Sequence, residues 1–169
     1  MSQYIAVDHR NCTGCKTCEM VCSIHHWGES NMWKSAIRVL RKEIDGLVNC
    51  LPLVCQQCTD PACMNACPTD AISRNNGGAV TFSKNDCIDC GACIDVCPAG
   101  CVPTNLEGAV VMYCDLCDGQ PMCVNNCHGH CLSVKDNTDE KGAPGVRRLA
   151  DILTQEKLWD YLPVRRVNK

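Results

Sequence analysis

Apolar positions in this chain come in short, separated runs rather than one long periodic stretch. Tyr4-Ile5-Ala6-Val7-Asp8 and Val80-Thr81-Phe82-Ser83 read as strands, each a few residues ahead of a cysteine-rich loop. Ile37-Arg38-Val39-Leu40-Arg41-Lys42 and Leu47-Val48-Asn49-Cys50-Leu51 flank Asp45-Gly46, a dipeptide suited to a tight turn, and predict a β-hairpin over residues 36–54. Residues 135–145, Lys-Asp-Asn-Thr-Asp-Glu-Lys-Gly-Ala-Pro-Gly, predict a polar linker. Beyond it, Val146 to Leu162 predicts a helix stopped by Pro163, with Leu149, Ile152, Leu153, Leu158, Trp159 and Leu162 only partly on one face. Such a helix either packs on its own body or docks as an arm on a partner.

Composition changes this picture. For 169 residues the chain holds one Phe, three Tyr and three Trp, thin material for an apolar core. Cysteine, at 19, is the extreme feature, so something bound to cysteine must replace the missing core. Disulfides use many cysteines mainly in short secreted chains. Here the count is odd, the N-terminus shows no signal-peptide apolar region, and no apolar run reaches the roughly 18 residues of a membrane span. The expectation is a reduced, cytoplasmic chain whose thiols bind metal, with no membrane span and no nucleic-acid partner.

Spacing makes the metal specific. Cys12, Cys15, Cys18 and Cys22 read C-x2-C-x2-C-x3-C, and Cys87, Cys90, Cys93 and Cys97 repeat it, followed by Pro98. Cys55, Cys58, Cys63 and Cys67 read C-x2-C-x4-C-x3-C, followed by Pro68, while Cys114, Cys117, Cys123 and Cys127 read C-x2-C-x5-C-x3-C. The C-x2-C-x2-C-x3-C-P run is a cubane signature: a short loop offers three sulfurs to one cluster, and the fourth serves a neighbour. Zinc would favour isolated C-x2-C pairs or Cys mixed with His. A helical turn is expected after each fourth cysteine, broken at Pro68 and Pro98.

Three cysteines fall outside the groups. Four residues past the last ligand stand Ala71, Cys101 and Cys131, followed by Ile72, Val102 and Leu132. Five residues before the first ligand stand Val7, Cys50, Phe82 and Ala109. Cys50, Cys101 and Cys131 therefore occupy positions that other repeats fill with plain apolar residues, and a free Cys packs as a small hydrophobe. Cys131 also lies near enough to Cys127 to substitute for it.

The repeat sets the expected architecture as α+β, with short strands and helices wrapped around clusters. Residues 55–104 look like a bacterial two-cluster ferredoxin. Residues 1–35 and 105–134 would form a second, outer dicluster unit from groups one and four. Residues 36–54 are the hairpin insert, and 135–169 the linker and C-terminal helical tail.

Over about residues 4 to 134 the chain resembles the electron-transfer subunits of molybdenum and tungsten oxidoreductases, such as those of dimethyl sulfoxide reductase, formate dehydrogenase and formate hydrogenlyase. The stretch Cys12-Thr-Gly-Cys-Lys-Thr-Cys-Glu-Met-Val-Cys22-Ser-Ile-His-His26, running on to Lys34-Ser-Ala-Ile37, is similar to a narrower set. That set is the small subunits accompanying tungsten aldehyde oxidoreductases and ATP-independent benzoyl-CoA reductases. The resemblance implies four [4Fe–4S] clusters. Cys12, Cys15, Cys18 and Cys127 would hold cluster one, and Cys22, Cys114, Cys117 and Cys123 cluster two. Cys55, Cys58, Cys63 and Cys97 would hold cluster three, and Cys67, Cys87, Cys90 and Cys93 cluster four. His128 stands where Pro often follows the last group, and Ser23 follows Cys22; three clusters is the alternative count. The resemblance further implies a non-catalytic subunit in a hetero-oligomer with a tungsten- or molybdenum-pterin catalytic subunit, and a further donor or acceptor such as a ferredoxin or flavin subunit. The alternative is a free soluble polyferredoxin carrier.

The remaining features fit a relay. No G-x-G-x-x-G fingerprint or P-loop is present. Sixteen thiolates and four doubly positive cores would take the formal charge from −3 to about −11, which backbone N–H groups in loops with Gly14 and Gly91 are placed to offset. His25, His26, His128 and His130 would meet if groups one and four pair, although packing or surface histidines are the default. Lys34, Arg38, Arg41 and Lys42 give the hairpin a basic side, for an acidic partner or for solvent.

Overall fold

The computed structural model describes residues 3–44, 46–137 and 144–155. Its strands form three separate antiparallel ribbons of two strands each. β1 (Gln3–Val7) pairs with β6 (Leu132–Asp136), from Gln3 opposite Asp136 to Val7 opposite Leu132. β2 (Ile37–Ile44) and β3 (Leu47–Val54) form the hairpin, whose turn carries Gly46 at φ 77°, in the left-handed region that glycine enters without steric penalty. β4 (Ile72–Arg74) pairs with β5 (Val80–Phe82).

Among the described residues, five α-helices accompany them. α1 (Thr17–Trp27) runs 11 residues and stops at Gly28, which returns its N–H to the Ile24 carbonyl. α2 (Ala62–Asn65), α3 (Ala92–Asp95) and α4 (Met122–Asn125) are single turns. α1 packs against α4, and α2 against α3. The pairing of strands follows the same rule, so cysteine groups one and four share one part of the molecule, and groups two and three the other.

Two expectations are corrected. The helical turns of groups two, three and four start one residue before the third cysteine and end before the fourth, not after it. Past Cys67, Cys97 and Cys127 the chain reverses through a left-handed residue three positions on, at Asp70, Gly100 and His130, and a helix cannot continue through it. Only in group one does the helix run on past the fourth cysteine.

The polar segment 135–145 is the second. Lys135 and Asp136 belong to β6, and Pro144 already opens α5 (Pro144–Gln155), the first-turn position where proline is tolerated. Leu149, Ile152 and Leu153 are buried and α5 lies on β1, so this helix packs on its own body. The helix expected as far as Leu162, with Leu158, Trp159 and Pro163, extends outside the described residues.

The main core joins Ile5, Ile37, Leu51, Val54, Leu149 and Leu153; a smaller one joins Ile72, Val80, Ile94, Val102, Val110 and Tyr113. Thiols take part in both. Among the described residues, no helix is long and apolar enough to cross a membrane.

Candidate iron–sulfur centres

Each cysteine loop uses one backbone device. The residue two positions past the first cysteine is left-handed in all four groups: Gly14 at φ 70°, Gln57 at 51°, Asp89 at 53° and Leu116 at 63°. Only one of these is glycine. For an L-residue this conformation costs roughly 1–2 kcal/mol, and such strain gathers at functional sites. The reversal turns backbone N–H groups toward sulfur: Asp89 donates to Cys87 Sγ at 3.4 Å. Past the fourth cysteines the same happens, with Cys101 N–H donating to Cys97 Sγ at 3.3 Å.

Three cavities collect the thiols. One is lined by Cys55, Cys58, Cys63 and Cys97, with Cys101 also in its wall. A second is lined by Cys67, Cys87, Cys90 and Cys93. A third is lined by Cys22, Cys114, Cys117 and Cys123. In each, three thiols of one loop are joined by the fourth cysteine of its paired loop. The remaining set is gathered differently. Cys12, Cys15 and Cys18 are near enough to influence one another's charge, while Cys131 stands between Cys12 and Cys127, its Sγ 3.4 Å from Cys127 Sγ.

Electrostatics says what these cages can hold. Burial pushes the Cys18 and Cys123 thiols up to about 12 and Cys63 up to about 11. Burial likewise raises Cys55 and Cys114 well above the ordinary value. In contrast, the Cys101 thiol lowers Cys97 to about 6, and the Cys131 thiol does the same for Cys12. Buried thiols so reluctant to ionise become thiolates only beside a strong cation, which an iron core supplies. The Tyr113 hydroxyl points to the same chemistry. It is buried close enough to the Cys63 and Cys93 thiols to influence both, where cluster sulfur would give it an acceptor. The residues fit the group.

Several supporting residues carry no mark in the sequence. The buried Gln57 side chain donates to the Cys114 carbonyl and accepts from Val80 N–H at 2.7 Å, tying the loops of groups two and four to β5. Arg74 donates to the carbonyls of Cys58, Thr59 and Gly78, clamping the second loop. Buried Glu19 accepts from Val39 N–H at 2.6 Å, joining α1 to the hairpin.

Of the histidines, His26 Nε2 lies 3.8 Å from Cys117 Sγ and 3.6 Å from Asp115, with the His25 ring edge-on at 4.8 Å. Its spacing four residues past Cys22 was visible in the sequence; its partner across the fold was not. His128 and His130 are exposed. Cys50, Cys101 and Cys131 are all buried. Of the basic residues on the hairpin side, Lys34 pairs with Glu29 at 2.8 Å, and Arg38 donates to the carbonyls of Trp33 and Thr104.

Comparison with known proteins agrees with this chemistry. Residues 47–137 match the 4Fe–4S dicluster domain family, and residues 10–29 match a 4Fe–4S binding domain. The polyferredoxin-like subunit of an aliphatic sulfonate oxidoreductase from Pyrococcus furiosus is 43% identical over 90 residues, 53% of this chain and 50% of that one. Electron transport protein HydN of Escherichia coli K12 is 33% identical over 93 residues, 53% of each chain. Formate hydrogenlyase subunit 2 of the same strain is 32% identical over 90 residues, 53% of this chain and 42% of that one. The chain spans about half the length of the curated relatives it matches. A chain from the active site complex BamBC of benzoyl coenzyme A reductase, with benzoyl-CoA, overlaps 95% of this chain and 96% of its own at 21% identity, with a TM-score of 0.45. With its dicluster domain spanning more than half its length, the chain belongs to the 4Fe–4S dicluster domain family, and it is similar to electron transport proteins and oxidoreductase subunits.

Proposed function

We propose that the chain is the electron-transfer subunit of a larger oxidoreductase, relaying single electrons along a row of four [4Fe–4S] clusters to or from a tungsten- or molybdenum-pterin catalytic subunit. Two ferredoxin-like dicluster units form the row: residues 55–104, and residues 1–35 with 105–134. The ligand sets are Cys12, Cys15, Cys18 and Cys127; Cys22, Cys114, Cys117 and Cys123; Cys55, Cys58, Cys63 and Cys97; and Cys67, Cys87, Cys90 and Cys93. The observation that carries this reading is the three cavities, each of whose linings includes one complete proposed set of four thiols drawn from two loops, with Cys101 as an additional thiol in one of them.

Bound there, a [4Fe–4S] cluster supplies a one-electron couple and needs no substrate contact. The chain's own residues bury the sulfurs, hold the loops and aim N–H donors at them. The row order one, two, three, four is supported by the charge influence of Cys114 on Cys55, the expected sign of sets two and three as neighbours. The two exposed cysteines, Cys15 and Cys90, then belong to the two ends. Gln57, spanning from Val80 to Cys114, bridges the middle.

Anaerobic iron and sulfide analysis tests the reading, with Mössbauer spectra to identify cluster type. About sixteen irons with matching sulfide per chain are expected; about twelve, or zinc, would refute the four-cluster form.

A further inference from the structure

We infer that the face formed by α1 and the Met32–Lys34 turn is the docking surface for the catalytic subunit, with cluster one as the electron port; this rests on the relay reading above. The inner side of α1 buries Cys18, Glu19, Cys22 and Ser23. A helix buried on one side ordinarily shows water a polar face. Here Met20, Ile24 and Trp27, spaced four and three residues apart, are 40%, 46% and 47% exposed. Met32 and Trp33 are 42% and 43% exposed, and both share with Met20 and Cys15 the wall of one open cleft of about 530 Å³. Single exposed apolar residues are ordinary, but a contiguous group with two Trp rings marks an interface.

The surface is also held in shape. Ser23 Oγ donates to the Glu29 carbonyl and accepts from Asn31 N–H at 2.7 Å, while Asn31 Oδ1 accepts from Trp33 N–H at 3.0 Å. Lys34 sits 5.2 Å over the Trp27 ring and Arg38 5.0 Å over the Trp33 ring. Rigid aromatic anchors lose little entropy on binding. The rim holds the cations Lys16, Lys34 and Arg38 against the one carboxylate Glu29, so the complementary partner surface is apolar with an acidic border. The opposite end differs. Beside exposed Cys90 stand the exposed Ile88 and the acidic Asp89, which line one cavity with it, and Val96 and Leu106 are the other exposed large apolar residues of groups two and three and the loop after them.

The test uses the full chain, tagged and expressed in its native host, purified anaerobically and compared by carbene footprinting within its assembly and after release. Labelling of Trp27 and Trp33 is expected to fall when a pterin-containing subunit is bound and to recover on its release. The double variant W27E/W33E should weaken that assembly by roughly 30-fold or more, while I88E/L106E leaves it intact. Unchanged labelling at Trp27 and Trp33 in the assembly, equal weakening by both variants, or shielding of the rings in the isolated monomer or in a homodimer would overturn the inference. Iron and sulfide content of the same samples separates the two readings: a full complement with an unprotected face removes only the docking surface.

Discussion

Gly14→Ala tests the geometry of the first cluster loop at one atom. Gly14 has φ 70°, and a Cβ placed there would lie 2.5 Å from Cys50 Sγ. Two penalties add. The left-handed backbone costs an alanine roughly 1–2 kcal/mol, and forcing an atom into a packed site costs about 1–3 kcal/mol. Cys50 is buried, so its thiol has little space to swing aside. The single variant should therefore lose about 2–5 kcal/mol, the sum of those two terms. Cys50→Ala alone should lose only about 1 kcal/mol, close to the burial of one methylene-sized group. In the double variant the collision disappears and only the backbone penalty remains. Gly14→Ala should then cost about 1–3 kcal/mol less in the Cys50→Ala background than in the wild type.

Cluster release in guanidinium, followed anaerobically by visible absorbance, reads these differences as rates, with about 1.4 kcal/mol to each tenfold change where the strain is relieved in the transition state. A double variant releasing iron as fast as Gly14→Ala would refute the close-approach account. Loss of about four irons from Cys50→Ala would refute the packing role of Cys50, because a cubane would then depend on it.

Cys22→Ala removes a thiol of group one, yet the cluster expected to vanish is the one otherwise held by Cys114, Cys117 and Cys123; iron should fall from about sixteen to about twelve per chain, and retained iron would break the crossed ligation. Tyr113→Phe deletes the hydroxyl beside Cys63 and Cys93, and since hydrogen bonds to sulfur raise cluster potentials, EPR-monitored titration should show clusters three and four shifted to more negative potentials. Unchanged potentials with reduced stability would make Tyr113 a packing residue only. Burial raises the Glu19 carboxyl above its ordinary 4.5, so the native state holds this proton more tightly than the unfolded chain. The stability this gives is fully present below about 4.5 and is lost as pH rises through the raised value; Glu19→Gln, keeping an acceptor for Val39 N–H, should flatten that dependence in guanidinium midpoints.

The features legible from sequence were the local ones. C-x2-C spacing marks a loop because its thiols are near whatever the rest of the chain does, and Asp45-Gly46 marks a hairpin because turn chemistry is decided within four residues. What escaped was set by distant contacts or imposed backbone. Gln57, Asp89 and Leu116 carry the same left-handed reversal as Gly14 without glycine's signature, because loop closure around the thiols forces it on them. Gln57 becomes a bridge only when Val80 and Cys114 arrive on either side of it. The α5 helix shows an apolar stripe at Leu149, Ile152 and Leu153, but that stripe does not say that its target is β1, about 140 residues earlier in the chain.

Placing sulfur at the centre also explains how so little regular structure holds together. Two-stranded ribbons are marginal alone, and the one-turn helices α2, α3 and α4 are far shorter than the roughly 12 residues an isolated helix needs. The left-handed non-glycine residues two positions past a first cysteine, Gln57, Asp89 and Leu116, oppose folding further, by roughly 3–6 kcal/mol at 1–2 each. Thiols buried against their ionisation add to that opposition until a cation is present. Metal–thiolate bonding, about 10–16 kcal/mol for a structural zinc site, is of the size required to outweigh these terms several times over. The strained positions stand beside the thiols because that is where bonding strong enough to hold them is available. The bonds that would hold the clusters would therefore also fix the fold, and the loops would owe their conformation to their ligands more than to their own sequence.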